Sequence, residues 1–314
     1  MQSNATFENA TLENPSSVGR LRKKKRDLTP YWFLLPGLIV LVVVFLLPIG
    51  FAFVISFFRF DLNVADFGFK FLGLKNYFYI FQDRLLIDSI KWTFQFTFIV
   101  VLVELALGMV FALLLNSPIL GKARNVLRGV FLVPIMFSGV LTAWMWRLIF
   151  DASYGPANHL VTLLGLERVP WGASAWSAKV MIIAADIWLS TPFIMLILLA
   201  GLQNIPTEIL EAASIDGANA WRKFISITLP FLKFPIMVVL VIRTMDALRI
   251  FDQIFVLTNG GPGSATTTIM FYNYRFAFSY FQMGRAAAIS FSFMVVIFII
   301  SYIYSRVLRR EVEY

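Results

Sequence analysis

The sequence predicts an all-α integral membrane protein: six transmembrane helices, with a polar helix-turn-helix loop between the fourth and the fifth. Three observations carry this. Of 314 residues, 59% are hydrophobic and only 14% charged, where a soluble domain carries about 25% charged residues. Six apolar stretches have the length needed to cross a bilayer, about 20 residues each. Between two of them lies one conspicuous polar island, 204–230. The same composition excludes much chemistry. There are no cysteines and a single histidine, His159, so disulfides, cysteine-ligated or His-cluster metals and a Ser-His relay have no material. No metal site is expected. A phosphate loop is missing too: Gly121-Lys122 is followed by Ala123, and the glycines at 260, 261 and 263 have no lysine. The net charge of +9 comes without basic residues interleaved with aromatics, so it speaks for membrane topology and not for nucleic acid.

Residues 1–29 read as a disordered, polar tail that ends in a basic cluster, Arg20, Arg22, Lys23, Lys24, Lys25 and Arg26. By the positive-inside tendency the cluster holds this end in the cytoplasm. The first span, 31–58, is uncharged as far as Phe58, too long for a signal-peptide core, with a kink expected at Pro48. An aromatic outer loop follows. The second span, 92–115, is interrupted only by Glu104, and a carboxyl at that depth calls for a partner inside the bundle. A short basic loop with Lys122, Arg124 and Arg128 leads to the third span, 129–150, whose Trp144 and Trp146 suit the interfacial aromatic belt. The fourth span, 180–202, carries Asp186 and Trp188, with Pro192 as a second kink. The fifth, 229–252, is the least apolar. Its Arg243, Asp246, Arg249 and Asp252 recur every three residues, so one helix would place them on adjoining parts of a face with alternating sign. They read either as the polar lining of a solute path or as a self-neutralised ladder. The sixth span, 286–305, ends at Arg306, Arg309 and Arg310, and a short tail, 311–314, closes the chain. Both termini are thereby expected in the cytoplasm.

The polar island has its own grammar. Pro206, Thr207 and Glu208 make a helix start, with a hydroxyl cap and a carboxylate where the helix dipole favours negative charge. Gly217 stops that helix near Asp216, since glycine takes a left-handed conformation freely. Asn219 then caps a second short helix that carries Trp221, Arg222 and Lys223 and ends before Leu229-Pro230.

Glu211-Ala212-Ala213, then Ile215-Asp216-Gly217-Ala218, closed by Ile227-Thr228-Leu229-Pro230, resembles the EAA loop of the membrane permeases of bacterial ABC importers. Gly73-Leu74-Lys75-Asn76-Tyr77, Asp186-Ile187-Trp188, Ala200-Gly201-Leu202-Gln203 and Thr258-Asn259-Gly260-Gly261-Pro262 are similar to segments of the sugar branch, maltose-type or glycerol-phosphate-type. The resemblance runs from about Tyr31 to Arg310. It implies the type I importer permease fold. It further implies that Glu211, Ala212, Ala213, Ile215, Asp216 and Gly217 couple to a cytoplasmic ATPase, with Glu211 the position that reaches it. ATP and Mg would be used by two copies of that ATPase, and no cofactor would be bound by this chain, which is therefore not itself an enzyme. A second, related permease subunit would complete a heterodimer in the bacterial or archaeal inner membrane. An extracytoplasmic solute-binding protein would face Asn259, Gly260, Gly261 and Pro262. From depth and polarity, the solute path would take Trp144, Asp186, Trp188, Arg243 and Asp246, an indole being a platform for a sugar ring. Glycerol phosphate or another polyol is the alternative cargo. A secondary carrier using Glu104, Asp186 and the charges at 243–252 as a proton relay is the rival class, and the lack of an internal repeat weighs against it.

Overall fold

The computed structural model describes residues 29–64, 68–121 and 123–309. Most of the tail expected over 1–29, the loop residue Lys122, and residues 310–314 lie outside the described residues. Contacts divide the chain into two units, 1–50 and 51–314. In the first, α1 (Thr29–Leu41) runs through a π turn (Val42–Leu46) into α2 (Leu47–Ile55). The distortion expected at Pro48 appears as that π turn just ahead of it. Proline lacks the N–H of the ladder and crowds the carbonyl four residues back, so the preceding turn widens and Leu47 N–H bonds to Val42 O. The helix stops at Ile55 and does not reach Phe58, which opens a strand.

In the second unit that strand, β1 (Phe58–Arg59), pairs antiparallel with β2 (Lys70–Phe71). Buried Asn76 in α3 (Lys75–Gln82) ties this loop together, its Nδ2 donating to the carbonyls of Ser56 at 2.8 Å and Phe58 at 2.9 Å. The second span is longer than expected. Asp83 caps α4 (Arg84–Asn116), its Oδ1 accepting from the N–H groups of Leu85 and Leu86, so the helix starts eight residues before Trp92. Burial pushes the Asp83 carboxyl up, but hydrogen bonds from Tyr272, Tyr79 and those two amides outweigh it and hold it below the ordinary range. Tyr272 belongs to α14 (Ile269–Tyr274), so one carboxylate ties three helices together.

The third apolar stretch is not one straight helix. α5 (Ala123–Leu132) and a 3₁₀ turn (Val133–Met136) meet α6 (Gly139–Ile149) at 102°. Pro134 ends the first part and Ser138 caps the second, its Oγ accepting from Leu141 N–H. α7 (Pro156–Leu163) lies in the loop between α6 and α8, and exposed His159 sits on it. α8 (Ala175–Gln203) is continuous, opened by a Ser174/Ser177 capping box. The fifth stretch also departs from expectation: α10 (Ala220–Lys223), a second π turn (Phe224–Thr228) ahead of Pro230 and α11 (Leu229–Phe231) form one rod that bends by 63° into α12 (Lys233–Leu248). α13 (Asp252–Leu257) is separate, and α15 (Met283–Arg309) is the last helix. Among the described residues, 4 helices are long and apolar enough to cross a membrane, and 6 such elements result when each bent pair counts as one.

α4 and α8 pack along each other as the central pair, with α12 against both. Apolar side chains gain little by leaving lipid for one another, so close packing has to hold such helices. Gly108 permits it: a Cβ there would lie 2.6 Å from Ile194 Cγ2 and 3.2 Å from the backbone of Met195. Phe96, Ile182 and Ile254 fill one core layer, Leu115, Met195, Leu198 and Leu232 a second.

Candidate functional site

Where α4, α8 and α12 meet, three ionisable side chains are buried together. Arg243 Nε donates to Glu104 Oε2 at 2.8 Å, and its Nη2 donates to Glu104 Oε1 at 3.0 Å and to Asp186 Oδ2 at 2.9 Å. Gln253 Nε2 donates to Asp186 Oδ1 at 3.3 Å. Glu104 is fully buried, Asp186 and Arg243 nearly so. Glu104 stands 20 residues into α4 and Asp186 11 into α8; at about 1.5 Å per residue that is about 30 Å and 17 Å from the helix starts, in the interior of two helices long and apolar enough to cross a membrane. A carboxyl at such depth is tolerable only with a partner, and the planar guanidinium supplies both at once.

This corrects the reading of 243–252 as a ladder along one helix. α12 ends at Leu248, with Arg249 as its C-cap, so Asp252 belongs to α13. Arg243 bonds across helices and not to Asp246. Asp246 pairs instead with Arg249 at 3.1 Å, and both are about half exposed. Asp252 lies against the start of α6, where a Cβ on Gly139 would be 2.5 Å from its Oδ2. Two adjoining cavities open on this cluster, of about 300 and 250 Å³. The first is mainly apolar, with Ile135, Phe137, Phe193 and Ile242 beside Ser190, Arg243 and Asp246. The second is more polar, with Ser190, Asp246, Arg249, Asp252 and Gln253 around Asp186 and Arg243. Neither Trp144 nor Trp188 lines them: Trp144 is 52% exposed with the Arg147 guanidinium over its ring, and Trp188 packs on Phe137 and Trp146. Ser190 and Gln253 escaped the sequence reading. Ser190 follows Asp186 by four residues on α8, a same-face spacing that marks it.

At the C-terminal end of α8, α9 (Thr207–Ile215) and α10 form the knob. Pro206 occupies the N-cap position of α9 and the Thr207 hydroxyl makes no capping bond, so the hydroxyl cap expected there is absent. The C-terminus is as expected: Gly217, at φ 76°, donates to Ser214 O at 3.1 Å and Ala218 N–H to Ala213 O at 2.9 Å, a Schellman closure. Asn219 Oδ1 accepts from Arg222 N–H at 2.8 Å, and Lys223 Nζ donates to Ser214 Oγ at 2.6 Å, locking one helix to the other. Glu211, Ala212 and Asp216 are exposed, Ala213 is half-buried, and Ile215 stands 87% exposed. The second helix does not stop before Pro230. It continues into α11, so the knob is joined rigidly to the fifth span.

The segment 259–262 is a turn in which Asn259 and Gly260 take positive φ, 50° and 81°. Gly260 is buried, its space bounded by Phe271 and Thr267, and its carbonyl accepts from Thr267 Oγ1 at 3.1 Å. Of the four residues expected to face outward, only Asn259 is exposed, while Gly261 and Pro262 are half-buried.

Residues 104–312 match the family described as binding-protein-dependent transport system inner membrane component. The chain belongs to that family. It is 41% identical over 284 residues to the trehalose/maltose transport system permease protein MalF of Thermococcus litoralis, with 90% of this chain and 94% of that one covered. It is 34% identical over 278 residues to the arabinooligosaccharides transport system permease protein AraP of Halalkalibacterium halodurans, covering 88% and 86%. Among solved structures it matches a bacterial ABC transporter that imports the acidic polysaccharide alginate, with a TM-score of 0.79 and 25% identity over 91% of this chain and 97% of that one. The permease fold and a multi-pass place in the membrane follow from these matches together with the helices above.

Proposed function

We propose that this chain is one permease subunit of an ATP-driven, binding-protein-dependent sugar importer, forming half of the solute path. The observation that carries the proposal is the joining of two sites by one helix. Asp186 of the polar cleft and Gln203, beside the exposed knob, are 17 residues apart on α8, about 26 Å of rigid rod. Adjoining cavities that bring aromatic and apolar side chains together with carboxylate, guanidinium, amide and hydroxyl groups suit a sugar, whose ring has apolar faces and a polar rim. The relatives' names, trehalose/maltose and arabinooligosaccharides, agree with that chemistry.

In this reading Glu211, Ala212, Ala213, Ile215, Asp216 and Gly217 seat in a cytoplasmic ATPase, two copies of which use ATP and Mg. A second, related permease subunit supplies the other half of the path. ATP binding draws the knobs together, and the rod α10–α11, bent into α12, transmits the movement to the cleft as a shift between two populated states. The face carrying Asn259 meets the solute-binding protein, and both chain ends lie in the cytoplasm. Uptake of labelled maltose and trehalose by cells carrying the importer tests this. Uptake should survive a protonophore, cease on ATP depletion, and be lost in Glu211→Lys; uptake that collapses with the ion gradient would instead indicate a secondary carrier.

A further inference from the structure

We infer that the cleft is built for uncharged sugars and turns anionic ones away, and that the Asp246–Arg249 pair sets this selectivity. The inference rests on the cleft being the solute path. Relatedness leaves cargo charge open, because the matches include a permease named for trehalose and maltose and a transporter of an acidic polysaccharide. The side chains decide it.

The side chains of Asp186, Asp246, Asp252, Arg243 and Arg249 line the two cavities, with Glu104 behind Arg243. Neither cation is free. Arg243 is divided between Glu104 and Asp186 at 2.8–3.0 Å, and Arg249 is held by Asp246 at 3.1 Å. A phosphate, sulfonate or uronate entering here would meet the carboxylates of Asp246 and Asp252 with no uncommitted cation of this chain beside them, and like-charge juxtaposition of this kind excludes ligands effectively.

A sugar hydroxyl meets the same wall differently. It donates and accepts at once, so it bridges Asp246 and Arg249 by donating to the carboxylate and accepting from the guanidinium. The pair suits that exchange: its side chains are 49% and 56% exposed, and an ion pair so exposed is weakly held. The buried Arg243 cluster gives up nothing in the exchange, and Phe137, which lines the adjoining cavity together with Asp246, offers an apolar face for the ring.

The test is saturation-transfer NMR on the purified membrane complex without its binding protein, comparing maltose with a glucuronate-bearing disaccharide. Wild type should bind maltose and favour it over the uronate by about tenfold or more. Asp246→Asn, which releases Arg249 without removing a hydrogen-bonding group, should bring uronate binding to within about threefold of maltose. In the double variant Asp246→Asn/Arg249→Gln the uronate should be rejected again, which also separates a charge effect from a folding defect. Equal binding of both sugars by wild type, or no gain of uronate binding in Asp246→Asn, overturns the inference and leaves the sugar importer standing. No signal from either sugar overturns the inference together with the assignment of the cleft as the path.

Discussion

Replacing Arg243 by Gln should damage the protein far more than replacing Glu104 by Gln, although the two side chains share a pair of hydrogen bonds. In Glu104→Gln the guanidinium keeps Asp186 at 2.9 Å, one cation facing one anion, and the new amide still accepts from Arg243. The cost is then the difference between a charged and a neutral acceptor, about 1 kcal/mol. In Arg243→Gln two carboxyl groups, on α4 and on α8, lose their only cation within a buried site. Removing one partner of a buried pair costs about 3–5 kcal/mol, and here a single change strands two groups. The triple variant Arg243→Gln/Glu104→Gln/Asp186→Asn should recover most of that loss, because it removes the uncompensated charge along with the pair. The assay is thermal unfolding of the detergent-solubilised complex, followed by gel filtration after heating, alongside its abundance in membranes. If Arg243→Gln and Glu104→Gln are equally stable, or the triple variant is no better than Arg243→Gln, the cluster does not hold the three helices together.

Three further outcomes follow from the same geometry. Gly108→Val should destabilise the complex by about 1–3 kcal/mol, because the added carbons meet Ile194 and the Met195 backbone; heat inactivation would read it, and unchanged inactivation would mean α4 and α8 stand further apart. Asp83→Asn keeps the cap of α4 but weakens the acceptor for Tyr79 and Tyr272, costing about 1–2 kcal/mol at this half-buried place. Because folding lowers the Asp83 pKa below its ordinary value of 3.8, its contribution is complete above that value and is lost as pH falls through the folded one; the stability gap between wild type and variant should therefore stay constant from about pH 8 to 5 and close below about pH 4. Gly217→Val forces a branched side chain to φ 76°, costing about 1–3 kcal/mol locally; the bundle should melt as in wild type while sugar-stimulated ATP hydrolysis falls.

The membrane helices were legible in the sequence because length and unbroken apolarity are sufficient for them, as in α4, α8 and α15. Their ends were less so. Asp83 starts α4 by capping it, a local signal outweighed in the sequence by the charges at Arg84, Asp88 and Lys91, which argue for placing 84–91 outside the span. The 102° bend between α5 and α6 was signalled by Pro134 and by Ser138-Gly139, but neither interrupts the hydropathy. The knob was the most readable part, since turn chemistry is local: Gly217 and Asn219 do what their types dictate. The cleft was half readable. Glu104, Asp186 and Arg243 announce themselves as charges in apolar stretches, but their partners lie 139 and 57 residues apart in sequence, so of the ladder suggested by the spacing of 243, 246, 249 and 252 only the Asp246–Arg249 pair forms: Arg243 turns to other helices, and Asp252 lies beyond the end of α12.

The chain has no cysteine, so single cysteines report cleanly on sidedness and contact. The most direct test of the central claim is to place one at Glu211, on the knob, and another at Asn259, on the opposite loop, and to attach a photoactivated cross-linker to each in membranes holding the whole importer. The account predicts that position 211 captures the ATPase subunit, in a yield that changes when ATP is added, and that position 259 captures the solute-binding protein and never the ATPase. Capture of the ATPase from 259, or no capture of it from 211 in membranes that contain it, would contradict the coupling of this chain through its knob.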